Sequence, residues 1–257
     1  MARSIAVVSG KGGVGKTTTA ISLAHAMSKH RKILLIDGNL STPNVHLYLG
    51  WPILKKSLVS VLKGESRYED AIYEHPSGLK ILPSISSLYE LKDIKHEKLR
   101  TVVQDLGDES DVILMDSAAG IGREALGAID ACDEILIVTN PDLPSVVDAQ
   151  KTVQVAHELG KTVLGVVLNR VRNDKYELSI QDVETMLDTP VISVVPFDSA
   201  VAKSLGMKHP VTHSHPRSRA SRQYEQLAAM LLGKRYMESL LRKKTMKHYI
   251  LKKLGFG

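Results

Sequence analysis

The stretch Gly10-Lys11-Gly12-Gly13-Val14-Gly15-Lys16-Thr17 satisfies the spacing G-x-x-x-x-G-K-S/T. Glycines at this spacing let the backbone curl until successive N–H groups converge on phosphate oxygens, and a helix starting there adds its positive end. An ammonium at Lys16 then reaches the β- and γ-phosphates of a nucleoside triphosphate, and the Thr17 hydroxyl is a ligand for Mg²⁺. Two carboxylates extend the same chemistry. Asp116 ends an apolar run and is followed by Ser-Ala-Ala-Gly, small residues that let the chain turn beside a phosphate. A carboxylate there orders Mg²⁺ through water, because Mg²⁺ gives up its hydration shell reluctantly. Asp37 ends a second apolar run, Ile33–Asp37.

These groups need a scaffold that delivers them to one edge. Six short, nearly continuous apolar runs recur along the chain: Ile5–Ser9, Ile33–Asp37, Val112–Asp116, Ile135–Thr139, Val163–Asn169 and Val191–Pro196. Strands apolar on both faces belong to a parallel sheet covered by helices on both sides. The intervening pattern predicts helices over Thr17–Ser28, Asp93–Leu106, Pro144–Leu159, Gln181–Leu187 and Ser221–Leu232. In the last, Tyr224, Leu227, Ala228, Leu231 and Leu232 form one buried stripe. The fold class expected is a doubly wound α/β domain with a mostly parallel sheet, of the Rossmann-like P-loop type. Its ligands bind at the carboxyl edge of the strands. One domain spans 1–233, and a separate basic tail spans 234–257.

Composition excludes other classes. At 257 residues, 43% hydrophobic and 24% charged, the chain buries a substantial core and is neither disordered nor fibrous. Aromatics make up only 4%, too few for a single-stranded nucleic-acid stacking platform. The one cysteine, Cys132, excludes a disulfide framework and a Cys-based zinc site, and fits a reducing, cytoplasmic setting. It reads as a small buried residue. No apolar run approaches a membrane span, and Met1-Ala2-Arg3-Ser4 leads into a strand-like run, unlike a signal peptide. The net charge of +6 is local: residues 234–257 hold eight Lys/Arg and one acid, leaving the rest at 26 bases and 27 acids. The tail therefore calls for an anionic partner.

Lys11-Gly12-Gly13-Val14-Gly15-Lys16-Thr17-Thr18 resembles the deviant Walker A loop of the MinD/ParA family, which carries an extra lysine early in the loop. The likeness continues through Ile36-Asp37-Gly38-Asn39-Leu40 (switch I) and Met115-Asp116-Ser117-Ala118-Ala119-Gly120 (switch II). It extends to Val138-Thr139-Asn140-Pro141, Leu168-Asn169-Arg170 and Val195-Pro196-Phe197-Asp198. It implies an ATPase that binds Mg·ATP and, when ATP-bound, forms a homodimer sandwiching two nucleotides. In it Lys11 reaches the phosphates of the partner's nucleotide. A cation that arrives only in the dimer makes turnover dimer-dependent. By the same resemblance Lys11, Lys16, Asp37 and Asn39 surround the transferred phosphoryl group, and Thr17 and Asp116 serve the metal. Asn169 reads the adenine edge, Arg170 packs beside it, and Pro196 and Asp198 line the other side.

The pattern departs at Asn39. MinD-like proteins usually carry a second switch I aspartate there, which orients the attacking water. An amide holds water through its carbonyl oxygen but neither accepts a proton nor adds negative charge. Two readings stay open: a regulated ATPase, and an ATP-binding switch that hydrolyses little.

In the tail, Met246, Tyr249, Ile250 and Leu254 share one side of a helix, with Leu251 and Phe256 close by and lysines mostly elsewhere. Such a segment is an interfacial helix, and MinD-like proteins end in one that targets the membrane. The expected location is the inner face of the cell membrane, peripherally attached. An activating or cargo protein on the dimer would decide what is positioned, such as a division site. A DNA-bound, ParA-like segregation role is the alternative for the basic tail, disfavoured by its Ile/Leu/Phe content. His209, His213 and His215 fall together in sequence and are expected to form a polar loop; no acidic or cysteine ligand completes a metal site nearby.

Overall fold

The computed structural model describes residues 2–51, 53–85, 94 and 97–233. Eight strands, β1 Arg3–Ser9, β2 Ile33–Asp37, β3 Tyr73–Glu74, β4 Lys80–Leu82, β5 Val112–Ala119, β6 Glu134–Thr139, β7 Thr162–Val171 and β8 Val191–Pro196, form one sheet in the order β3-β4-β2-β5-β1-β6-β7-β8. Every neighbouring pair is parallel except β3–β4. All six expected strands are present. The missed β3 and β4 are two and three residues long, too short to carry a periodic signal.

The helices are α1 Lys16–Ser28, α2 Val45–Tyr48, α3 Leu58–Leu62, α4 Lys98–Asp105, α5 Arg123–Ala131, α6 Leu143–Glu158, α7 Ile180–Leu187, α8 Ser199–Gly206, α9 Val211–Ser214 and α10 Arg219–Leu231. Residues of α3 to α7 enclose one core against the sheet; α1, α2 and α8 to α10 supply the core on the other face. Strands β1, β2, β5 and β6 are buried almost throughout, because both of their faces are covered. The helix expected over Asp93–Leu106 is seen as Lys98–Asp105, and part of its start falls outside the described residues. In α10 the expected stripe is buried at Tyr224, Leu227, Ala228 and Leu231, and the Tyr224 hydroxyl meets Thr19 Oγ1 at 3.3 Å on α1. Burying each large side chain of that stripe is worth about 1.5–3 kcal/mol, so α10 clamps the helix that follows the glycine-rich loop.

After α10 the chain turns at Gly233, whose φ of +65° suits glycine and whose N–H bonds Met230. The expected tail residues Met246, Tyr249, Ile250, Leu251, Leu254 and Phe256 lie outside the described residues. Among the described residues no helix is long and apolar enough to cross a membrane.

Candidate nucleotide site

Strand β1 ends in the core, and the loop that follows turns back to start α1 at Lys16. Gly13 and Gly15 adopt φ of +81° and +95°, which L side chains resist. Two close approaches add a second demand. A methyl group at Gly10 would stand 2.1 Å from the Asp148 carbonyl oxygen on α6, and one at Gly15 2.3 Å from Asn169 Nδ2. The loop borders a cleft of about 290 Å³ whose wall includes Lys11, Gly12, Gly13, Gly15, Lys16, Thr17 and Thr18, together with Asn39. Val14 departs from its loop neighbours: its side chain is buried in the core that α1 supplies, and it is absent from the cleft wall. Gly10 likewise serves the approach of α6 rather than the cleft wall.

The two loop lysines have opposite fates. Lys11 is exposed at the rim, whereas Lys16 is buried, its Nζ 2.7 Å from Asp116 Oδ1. A buried ion pair of this kind stands only while each charge keeps a partner. Asp37 and Asp116 lie opposite each other across the β2–β5 ladder, so the topology places both acids at one carboxyl edge. Asp116 Oδ2 is buried without a hydrogen-bond partner among the described groups. An orphaned carboxylate oxygen costs about 1–3 kcal/mol, and a hydrated hard cation would relieve it. Asp116 is not in the cleft wall itself but meets it through Lys16, which lines the cleft beside Thr17. A carboxylate with a hydroxyl residue nearby is a donor set that suits Mg²⁺.

Asp37 is fully buried and has a different task. Its Oδ1 accepts the Asn39 N–H and its Oδ2 the Val45 N–H, both at 3.2 Å, while the Ser84 hydroxyl donates to its carbonyl at 2.7 Å. Burial, and then the neighbouring Asp116 charge, push its carboxyl above the usual range; the Val45 and Asn39 N–H groups work against them. Asp37 thus ties the segment 39–45 to the strand end. Within that segment Asn39 is knotted to Thr42. Its Nδ2 donates to the Thr42 carbonyl at 2.7 Å, and its Oδ1 accepts the Thr42 hydroxyl at 3.1 Å and N–H at 3.4 Å. Asn39 lines the cleft, as expected, with its amide committed at both ends.

A second cleft, about 180 Å³, adjoins the first through Gly15, Thr18, Arg170 and Leu205, and is walled by Asn169, Pro196, Asp198 and Tyr224 among others. All four residues expected on the base side are therefore gathered here. Two of them also hold structure. Asn169 Nδ2 donates to the Val14 carbonyl at 2.7 Å, bracing the loop. Asp198 caps α8 through the Ala200 N–H at 2.9 Å and reaches the Ala220 N–H of α10 at 3.1 Å. Partial burial pushes the Asp198 carboxyl up, but the backbone N–H groups of Ala200, Ala220 and Arg219 outweigh it and hold the carboxyl below its usual range. Arg170 sits at φ +58°, a turn that carries its exposed side chain into both clefts.

Sequence reasoning missed Thr42, Asn44 and Tyr48 in the cleft wall and Ser84 behind Asp37. Thr42 and Asn44 sit just past the strand end, a signal available but unspecific; Ser84 is brought in only by the β2–β4 pairing. The histidines also group differently from the expectation. His209 and His213 meet His75 from the β3–β4 hairpin, with ring centroids 5.0 and 6.4 Å from it, and His25 of α1 lies 5.5 Å from His213. His75 Nδ1 accepts the Ser77 N–H, so its Nε2 bears the proton and donates to the Lys208 carbonyl. Among the described residues no group of three ligands is arranged for a metal.

Comparison with known proteins agrees with this geometry. Residues 5–211 match the family model described as the CobQ/CobB/MinD/ParA nucleotide binding domain. An uncharacterized ATP-binding protein of Methanocaldococcus jannaschii is 38% identical over 245 residues, covering 95% of this chain and 93% of that protein. The cell division ATPase MinD of Pyrococcus furiosus superposes with a TM-score of 0.86 at 33% identity, over 91% of this chain and 99% of that one. The septum site-determining protein MinD of Pyrococcus horikoshii, complexed with Mg-ADP, superposes with a TM-score of 0.85 at 31% identity, covering 90% and 96% of the two chains. The chain belongs to the CobQ/CobB/MinD/ParA nucleotide-binding family.

Proposed function

We propose that this protein is an ATPase switch of the MinD type. It binds Mg·ATP, dimerises in the ATP state, attaches to an anionic membrane surface through residues 234–257, and positions cellular machinery such as a division site. The observation that carries the reading is the contrast of the two loop lysines: Lys16 is buried and paired, Lys11 exposed at the rim. Phosphoryl transfer is mostly positioning and charge stabilisation. Lys16 would exchange Asp116 for phosphate oxygens when nucleotide binds, and Asp116 and the Thr17 hydroxyl would then be the groups that hold hydrated Mg²⁺. The metal, when bound, neutralises charge on the β- and γ-oxygens. Lys11 is free to reach a second subunit's nucleotide, so the full positive charge assembles only in the dimer. Asn169 and Arg170, with Pro196 and Asp198, enclose the base.

The Asn39–Thr42 knot favours a second reading of the same site, a binding switch with slow turnover. Steady-state phosphate release by Asn39→Asp beside the unsubstituted protein separates the two: a large gain on adding the acid supports the slow switch, and no gain supports the regulated ATPase.

One tail binds a membrane weakly, and two on a dimer bind far more tightly through effective concentration. Nucleotide state then becomes location, and an activating or cargo protein bound to the dimer reads it. Co-sedimentation with anionic liposomes in Mg·ATP and in Mg·ADP, for the full chain and a chain ending at Thr245, tests this. Pelleting that requires both ATP and the tail is expected. Pelleting in neither state overturns the membrane role and leaves the tail for DNA, where salt-sensitive, ATP-dependent retention on duplex DNA is the check.

A further inference from the structure

Switch I is tied to the Asp116 segment at two points. At the root, the Gly38 N–H donates to the Asp116 carbonyl at 2.8 Å, beside the paired Asp37 and Asp116. At the tip, both oxygens of one carboxylate grip one serine. Glu124 Oε2 accepts the Ser41 N–H at 3.1 Å, and Oε1 accepts the Ser41 hydroxyl. Ser41 lies inside the turn closed by the Asn39–Thr42 knot, so whatever holds Ser41 also sets where the Asn39 amide stands. Glu124 sits in the first turn of α5, which continues directly from β5 past Asp116 and Gly120. Gly120 is itself pinned to the end of β1 by its N–H to the Ser9 carbonyl, at 2.8 Å. A displacement of the Asp116–Gly122 segment therefore has a short covalent path to Glu124 and a charge-assisted bond from there to switch I.

We propose that Glu124 is a positioning residue that carries the state of the Asp116 segment to Asn39. The inference rests on the nucleotide reading above, because the event it transmits is the exchange of Lys16 from Asp116 to phosphate. With the usual switch I acid replaced by Asn39, the active geometry depends on where a neutral amide is held, and Glu124 holds it from the adjoining switch. Two contacts on one carboxylate make the grip bidentate: a Ser41 that keeps its N–H bond but loses its hydroxyl bond is still captured, more loosely.

Hydrogen exchange of residues 39–48 is the direct readout, since the Ser41 amide is itself the donor to Glu124. It is compared in Mg·ADP and in Mg·ATPγS for the full-length protein, Glu124→Ala, Glu124→Gln and Ser41→Ala. The unsubstituted protein is expected to show a nucleotide-dependent difference in this segment. Glu124→Ala abolishes it while fluorescent-nucleotide affinity stays within about two-fold, and Glu124→Gln, which keeps one acceptor oxygen, restores part of it. In turnover, Glu124→Ala lowers kcat about five-fold with KM within two-fold, and the Ser41→Ala/Glu124→Ala double variant is no slower than the slower single variant, as groups acting through one contact require. A difference that persists in Glu124→Ala, or losses that add in the double variant, overturns the proposal. If the unsubstituted protein binds nucleotide without hydrolysing it, the regulated-ATPase reading fails by itself and the exchange comparison still decides the role of Glu124.

Discussion

The glycine-rich wall, where the phosphates are proposed to bind, and the wall of Asn169 and Asp198, proposed for the base, are built on different principles. On the proposed phosphate side the residue types are dictated by what the backbone must do: left-handed turns at Gly13 and Gly15, close approach at Gly10 and Gly15, and one buried cation, Lys16. On the base side, Asn169 and Asp198 hold the loop and the starts of α8 and α10. A wall whose side chains have structural duties tolerates change in its ligand contacts while the fold persists. A loop held by left-handed turns and close backbone approaches tolerates far less. The difference teaches why the first half of this site has a recognisable spacing and the second does not.

The sharpest way to test the contrast is to remove the buried cation. Lys16→Ala deletes the proposed phosphate partner and strands Asp116 beside Asp37 without its ion-pair partner. ATP hydrolysis is expected to fall by about 100-fold or more, and the nucleotide-free protein to lose about 3–5 kcal/mol of stability, read by phosphate release and urea midpoints. A smaller loss would mean that Asp116 does not depend on its partner.

Glycine substitutions come next. Gly10→Ala drives a methyl into the Asp148 carbonyl of α6, whereas the same change at Gly12 meets nothing within 4 Å. Thermal and chemical denaturation should place the Gly10 variant about 2–4 kcal/mol below the Gly12 variant. Equal stabilities would break the claim that approach to α6 shapes the loop.

A region remote from both walls provides the pH control. His25, near the far end of α1, is buried with its Nδ1 2.7 Å from Thr212 Oγ1. Burial, with a contribution from Lys29, lowers its pKa from 6.5 to about 4. The unfolded chain therefore takes up a proton below about pH 6.5 that the folded protein refuses until about pH 4, so stability present above that window is lost as pH falls through it. The loss from this group is roughly 2–3 kcal/mol, visible as a drop in urea midpoint between pH 7.5 and pH 4.5. His25→Asn should flatten that slope, and an unchanged slope would assign the effect elsewhere.

The smallest effect is predicted on the base side. Asp198→Ala removes the cap of α8 and is expected to cost about 1–2 kcal/mol, while fluorescent-nucleotide affinity shifts less than about three-fold. A large affinity loss at unchanged stability would reverse the comparison and make Asp198 a ligand first.

The doubly wound class, the six principal strands and the glycine-rich loop between β1 and α1 were all legible in the residues alone, because each rests on local rules. A strand buried on both faces must be apolar along its length, and a loop that turns back through positive φ, as at Gly13 and Gly15, must carry glycine there. The sequence also marked Asp37 and Asp116 as strand-end acids; Asp37 does end β2, whereas β5 runs on past Asp116 to Ala119 because its last residues still pair with β1. Only the tertiary structure decided what these groups touch. The β2–β5 register set Asp37 against Asp116, the β2–β4 pairing brought Ser84 beneath Asp37, and the approach of β7 aimed Asn169 at the Val14 carbonyl. The histidines make the same point: their neighbours in the chain suggested a polar loop, yet His209 and His213 meet His75 and His25, more than 130 residues away. Spacing along one strand or turn is fixed by bond geometry. Which strands become neighbours depends on burying the whole set of apolar faces at once, and no single segment carries that information.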